Sequence, residues 1–166
     1  ERIDFCLVGE PTNKNKLGEM MKIGRRGSIT GNLTVNGTQG HVAYPQDANN
    51  PVPVMIKILN KIENIKLDKG TKNFQPSNLE IVKINIENTA DNVIPAEAKA
   101  TFNIRFNNKH SSNSLKKKLN KIFKINCKKN NCSFKISYTV SGEAFITIPN
   151  QTTQMIQNTI KKITKI

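Results

Sequence analysis

Four stretches of this chain alternate apolar and polar residues, and two stretches between them repeat their apolar residues with helical spacing. The first strand runs from Ser28 to Asn36, with Ile29, Gly31, Leu33 and Val35 on one face and Ser28, Thr30, Asn32 and Thr34 on the other. Pro51 and Pro53 then open a helix bearing Val54, Met55, Ile58, Leu59, Ile62 and Ile65, which ends by Asp68-Lys69-Gly70. Leu79 to Ile86 is a second strand whose phase slips at Ile81-Val82, the mark of a bulge. Ala98 to Phe106 alternates without a slip: Ala100, Phe102, Ile104 and Phe106 face inward, Thr101, Asn103 and Arg105 outward. These two strands are predicted to be hairpin partners. Ser111 or Ser112 caps a second helix carrying Leu115, Leu119, Ile122 and Phe123, and Cys132 to Val140 makes the fourth strand.

Residues 26–142 therefore predict an α+β fold in the order β-α-β-β-α-β, a ferredoxin-like sandwich with two helices on one face of an antiparallel four-stranded sheet. Two segments do not fit that unit. Residues 4–9 (DFCLVG) read as a short buried strand ending at Gly9-Glu10-Pro11, and a helix runs through Met155, Ile156, Ile160 and Ile163. They read as two ends of another domain, into which the sandwich is inserted. The first residue is Glu1 and not Met, so the chain is expected to be a fragment or trimmed.

Composition removes several classes. No run of about 18 apolar residues is available for a membrane span, and the first ten residues lack an export pattern. Cys6, Cys127 and Cys132 are an odd set without metal-site spacing, read as free thiols in a reducing, cytoplasmic setting. The net charge of +14 raises the question of nucleic acid. After Arg105, however, the excess is twelve lysines against the single acid Glu143, without the arginines and aromatics that read bases. A solvated lysine face is the reading, and nucleic acid is not an expected partner.

Chemistry concentrates near the first strand. The basic turn Gly24-Arg25-Arg26-Gly27-Ser28 leads through it to Gly40-His41-Val42-Ala43-Tyr44-Pro45. That span holds one of two histidines and two of four arginines. Imidazole is a versatile donor and acceptor near neutral pH, and a preceding glycine lets backbone approach a ligand. Glu10 follows a strand and precedes a proline, a position that suits a ligand group.

These motifs also occur in a telling order. Val8-Gly9-Glu10-Pro11-Thr12, the Gly24–Ser28 turn, Gly40–Pro45, Asn92-Val93-Ile94-Pro95-Ala96-Glu97 and Phe102-Asn103-Ile104-Arg105 together resemble the succinyl-diaminopimelate desuccinylase family. Its members are di-zinc amidohydrolases of the metallopeptidase group that includes acetylornithine deacetylase, and the resemblance covers essentially the whole chain. It implies a lid and dimerisation domain over 23–142, with pieces of an α/β catalytic domain at 1–22 and 143–166. It implies that His41 donates, in the partner subunit's active site, to the oxyanion of a tetrahedral intermediate. Lys22, Arg25, Ser28, Tyr44, Asn92 and Arg105 match positions lining the substrate site, and Glu10 matches a carboxylate ligand of one zinc. The cofactor implied is two zinc ions per complete subunit, with cobalt as an alternative in one site. The partners implied are a second subunit and a small dicarboxylate, here N-succinyl-LL-2,6-diaminopimelate, hydrolysed to succinate and LL-2,6-diaminopimelate in lysine biosynthesis. Arginine suits such a substrate because its planar fork binds carboxylates bidentately.

Two departures stand out. Asp91 occupies a position where the resemblance leads us to expect a neutral Asn or Thr. The remaining metal machinery of the family, an early His-x-Asp, a bridging Asp, a Glu-Glu pair and a late histidine, is not found in this chain. The isolated segment is therefore expected to bind no metal stably and to be inactive. Two other readings are kept: the lid of an acetylornithine deacetylase or aminoacylase-type relative, and a non-catalytic self-associating or basic anion-binding module.

Overall fold

The computed structural model describes residues 2–10 and 12–165. The chain divides into two compact units, Arg26–Phe145 and the flanks Glu1–Arg25 with Ile146–Ile166. Two-residue strands β1 (Gly24–Arg25) and β8 (Phe145–Ile146) lie where the chain passes from one unit to the other.

The larger unit contains β2 (Gly27–Asn36), β3 (Gly40–His41), α1 (Pro51–Glu63), β4 (Asn78–Asn85), β5 (Val93–Ile94), β6 (Glu97–Phe106), α2 (Ser112–Lys129) and β7 (Ser133–Gly142). Its main sheet has the order β4-β6-β2-β7, and every neighbouring pair is antiparallel. The α+β sandwich read from periodicity is the fold observed. The phase slip in the second strand is also real: the β4–β6 register shifts between Ile81 and Lys83.

One face of the sheet is covered. Ile29, Leu33 and Val35 of β2 and Phe102, Ile104 and Phe106 of β6 share a core with Met55, Ile58 and Ile62 of α1 and Leu115, Leu119 and Phe123 of α2. Phe102 is fully buried, with its ring centroid 6.2 Å from Phe123 and 6.5 Å from Tyr138. It lies directly opposite Gly31 in the β2–β6 register, and a side chain at Gly31 would collide with the Phe102 ring. The ring therefore fills the gap that glycine leaves in its own strand.

Helix ends follow their local chemistry. The Asn50 side chain accepts from the Val52 N–H at 3.0 Å, ahead of Pro51 at the first helical position. Of the two predicted caps for α2, Ser111 is the one used, in a reciprocal capping box with Ser114.

The segment joining α1 to β4 is held by a hub that periodicity could not show. The Asp68 carboxylate accepts from the N–H groups of Gly70 (2.6 Å) and Ser77 (3.3 Å), from Asn107 Nδ2 (2.7 Å) and from His110 Nε2 (3.1 Å). Burial acts to raise its pKa, yet hydrogen bonds from Ser77, Gly70 and Asn107 prevail and hold it well below the ordinary carboxylate range.

In the smaller unit α3 (Gln151–Thr164) forms as periodicity indicates, capped by Asn150. Residues 4–9 depart from expectation. They form no strand, and Phe5, Leu7 and Val8 are exposed. A buried strand needs a neighbour for its backbone groups and a surface for its side chains, and no strand lies beside this one among the described residues.

Candidate functional site

Between β2 and α1 the backbone closes a small loop on itself. Thr38 and Asn49 exchange both backbone hydrogen bonds, each 2.9 Å. Inside that closure, residues 37–50 are not wholly irregular, as a pattern of loop residues suggests. Gly40–His41 forms the short strand β3, pairing with β5 so that Gly40 faces Ile94 and His41 faces Val93. Val42 N–H extends this ladder to the Asn92 carbonyl at 3.0 Å. A Cβ on Gly40 would come within 2.6 Å of Ala48 Cβ, so the two sides of the loop touch here because residue 40 has no side chain.

This ladder brings His41, Tyr44 and Asn92 together. The His41 and Tyr44 rings lie 5.9 Å apart at 54°. The Tyr44 N–H donates to the His41 carbonyl at 3.0 Å, which starts the single 3-10 turn Pro45–Asp47. Asn92 Nδ2 and His41 Nε2 are 3.4 Å apart. All three side chains are exposed.

The state of the imidazole follows from one contact. The backbone N–H of Ala43 points at His41 Nδ1 at 3.1 Å. A backbone N–H can only donate, so Nδ1 must accept, and the single proton of a neutral ring sits on Nε2. Two donors cannot bond one another, so with the proton on Nε2 the Asn92 amide nitrogen makes no hydrogen bond to it. The amide nitrogen approaches only to 3.4 Å, which leaves Nε2–H to be taken by an incoming acceptor.

The other predicted site residues fall into two groups. Ser28 and Arg105 are register partners on β2 and β6, on the sheet face opposite the core. Arg105 is exposed, whereas Ser28 is buried, its hydroxyl accepting from Asn103 Nδ2 at 3.4 Å. Glu10, Lys22 and Arg25 belong to the smaller unit, and all three are exposed. The neighbouring Arg26 is occupied structurally, its Nη1 donating to Asn78 Oδ1 at 3.0 Å and to the Pro76 carbonyl at 3.3 Å.

The donors present do not fit a two-metal centre. Among the described residues no group of three or more His, Cys, Asp or Glu side chains could hold a metal ion. Glu10 is one exposed carboxylate, and a site that activates water needs several converging ligands.

Residues 23–131 match the family model described as "Peptidase dimerisation domain". The chain belongs to that family. Membership agrees with the resemblance read from the motifs, since this dimerisation domain is the ferredoxin-like unit just described. A protein from Pelagibacter ubique named succinyl-diaminopimelate desuccinylase is 72% identical over the whole chain, which covers 43% of that relative. A protein of the same name from Parvibaculum lavamentivorans is 51% identical over the whole chain, covering 42% of it. The chain thus spans less than half the length of the curated relatives it matches. Among solved structures, a tripeptidase from Staphylococcus aureus superposes with a TM-score of 0.74 at 13% identity, over 93% of this chain and 39% of the other. An aminopeptidase from Bacillus cereus gives 0.73 at 14% identity, over 91% and 39%. These structures share the fold of this dimerisation domain with chains that are more than twice as long.

Proposed function

We propose that this chain is the lid and dimerisation segment of an amide hydrolase that converts N-succinyl-LL-2,6-diaminopimelate to succinate and LL-2,6-diaminopimelate. The observation that carries the reading is 72% identity along the whole chain to a relative bearing the desuccinylase name. The His41 geometry supports it chemically. A neutral imidazole with its proton on Nε2, at an exposed position, suits a group that donates to developing negative charge without giving up its proton. In this reading His41 acts at the partner subunit's site. Tyr44, Asn92, Ser28, Arg105, Lys22 and Arg25 line the substrate site, and Glu10 contributes to a metal in the complete protein. Family membership supports metal dependence. We assign zinc, with cobalt as the alternative in one site, held chiefly by groups other than those of this chain. The three free thiols support the reducing, cytoplasmic setting.

The second copy is assigned to the β4 edge. The sheet has two edges, β4 and β7. β4 exposes Val82 and Ile84, and α1, which packs against β4, exposes Ile56. On the other edge α2 carries Lys117, Lys118, Lys121 and Lys124, and β7 carries Lys135, all exposed. Bringing two copies of a +14 chain together through that edge would concentrate like charge. The β4 bulge adds a self-complementary feature by placing Glu80 and Lys83 on one face, opposite Asn103 and Thr101. An antiparallel two-fold pairing can then set Glu80 against Lys83 of the second copy twice over.

The test is a chimera: the Pelagibacter ubique relative with this chain in place of its matching segment. Hydrolysis of the succinylated substrate in preference to N-acetylornithine is the expected result. Preference for the acetylated compound would move the assignment to the deacetylase-type relatives.

A further inference from the structure

A residue outside the chemistry also holds a place in the histidine loop. We infer that Asn49 is a positioning residue for His41, acting by fastening the loop that carries it to the end of α2. This rests on the reading of His41 as a donor.

Among the described residues, the Asn49 amide is the only side chain of residues 38–49 with a hydrogen bond leaving the neighbourhood of its loop and of β5. Its Nδ2 lies 2.8 Å from the Asn131 carbonyl, 3.1 Å from the Asn130 carbonyl and 3.4 Å from Cys132 Sγ. Those acceptors sit in the turn after α2, where Asn131 has a φ of +53° and the Asn130 and Cys132 N–H groups return to the Cys127 carbonyl at 3.0 Å each. The carbonyls are thus fixed by the helix end and converge on one donor. Asn49 is half-buried, so these bonds are partly shielded from water.

Asn49 reaches His41 by a short mechanical route. Its own backbone closes the loop on Thr38, the next residue inward, Ala48, meets Gly40, and Gly40 precedes the histidine. On the far side the loop is held by the two-residue ladder to β5 and the Val42-to-Asn92 bond. A ladder that short fixes direction poorly by itself. With Asn49 attached, the Val42–Ala43 peptide is held so that Ala43 N–H meets Nδ1, and the proton is kept on Nε2. Asn50 then begins α1, so the same two residues tie the loop to both helices.

The experiment has two readouts. In this chain, long-range proton–nitrogen NMR correlations of His41 report which ring nitrogen carries the proton. The wild-type chain should show protonated Nε2, while Asn49→Ala should show a mixture of both tautomers and at least tenfold faster amide exchange at Thr38 and Ala43. Asn49→Asp should be no better than Ala, because a carboxylate cannot donate to two carbonyls. In the chimera, Asn49→Ala should lower kcat at least tenfold and change KM less than threefold, the split expected when a transition-state contact is misplaced. If Asn49→Ala does not fold, Asn49→Ser, whose shorter side chain cannot span both carbonyls, carries the same measurements. An unchanged His41 tautomer with unchanged Thr38 and Ala43 exchange overturns the inference. A tautomer change in a chimera whose His41→Ala variant keeps full activity would uphold Asn49 as the clasp and overturn instead the role given to His41.

Discussion

The backbone N–H of Ala43 donates to Nδ1 of His41 across 3.1 Å. This one contact decides which face of the imidazole is chemically useful. Without it, an exposed histidine exchanges freely between tautomers. With it, the ring presents Nε2–H outward, towards the position now loosely met by Asn92. His41→Ala in the chimera is expected to lower kcat by roughly 100- to 1000-fold, the range found when a preorganised oxyanion donor is removed. KM for the succinylated substrate should change little by comparison. Steady-state kinetics on the dimeric variant measures both.

Acid sensitivity is expected to centre on Asp68. Its folded pKa is depressed, so the stabilisation it gives is complete above the unfolded carboxylate value, about 3.9, and is lost as pH falls towards the folded value. Urea midpoints should therefore drop as pH falls below about 4. Asp68→Asn should flatten that limb and cost roughly 2–3 kcal/mol at neutral pH, because an amide cannot accept from four donors at once. Chemical denaturation between pH 2 and 7, wild type against variant, supplies the comparison.

The division between what could be read from sequence and what could not has a physical basis. Apolar periodicity reports burial, so the four long strands, both core helices and even the β4 bulge were legible in it. Those elements bury Phe102, Ile58 or Phe123 on one side and expose polar residues on the other. Periodicity is silent where structure is made by backbone and short polar side chains. The strands β3 and β5 have two residues each and no pattern to show. Asp68 reads only as a helix terminator next to Gly70, and its bonds to Asn107 and His110 cross about forty residues of sequence. Asn49 looks like one loop asparagine among many in an Asn-rich chain. Residues 4–9 mislead for the opposite reason, since an apolar run signals a wish for burial, which a chain segment cannot satisfy by itself.

The core is expected to depend on the aromatic set over Gly31. Phe102→Ala should cost about 3–5 kcal/mol, since the ring is fully buried and its removal leaves a cavity between β2, α2 and β7. Denaturant unfolding of the variant measures this directly.

Thiol reactivity should follow burial. Burial pushes the Cys127 thiol up to about 11, and also raises Cys132 despite a hydrogen bond from Asn49. Cys6 is exposed. Alkylation at pH 7.5 followed by mass spectrometry should label Cys6 first, Cys132 slowly, and Cys127 only when the chain unfolds.

Association is expected through β4. Replacing the exposed Val82 and Ile84 with lysine puts charge at the centre of the proposed edge. Sedimentation should show the double variant as a monomer at concentrations where the unaltered chain is a dimer. Lysine-to-glutamate changes on α2 should leave the dimer in place.

The most direct test asks whether His41 completes the neighbouring subunit's site. Two inactive chimeras are needed: one carrying His41→Ala, the other inactivated by a substitution outside this chain. They are mixed under conditions that exchange subunits, and native mass spectrometry verifies the mixed dimers. A histidine acting across the interface leaves one complete site in each mixed dimer, so hydrolysis of N-succinyl-diaminopimelate should return. Mixed dimers that form and stay inactive would contradict that account.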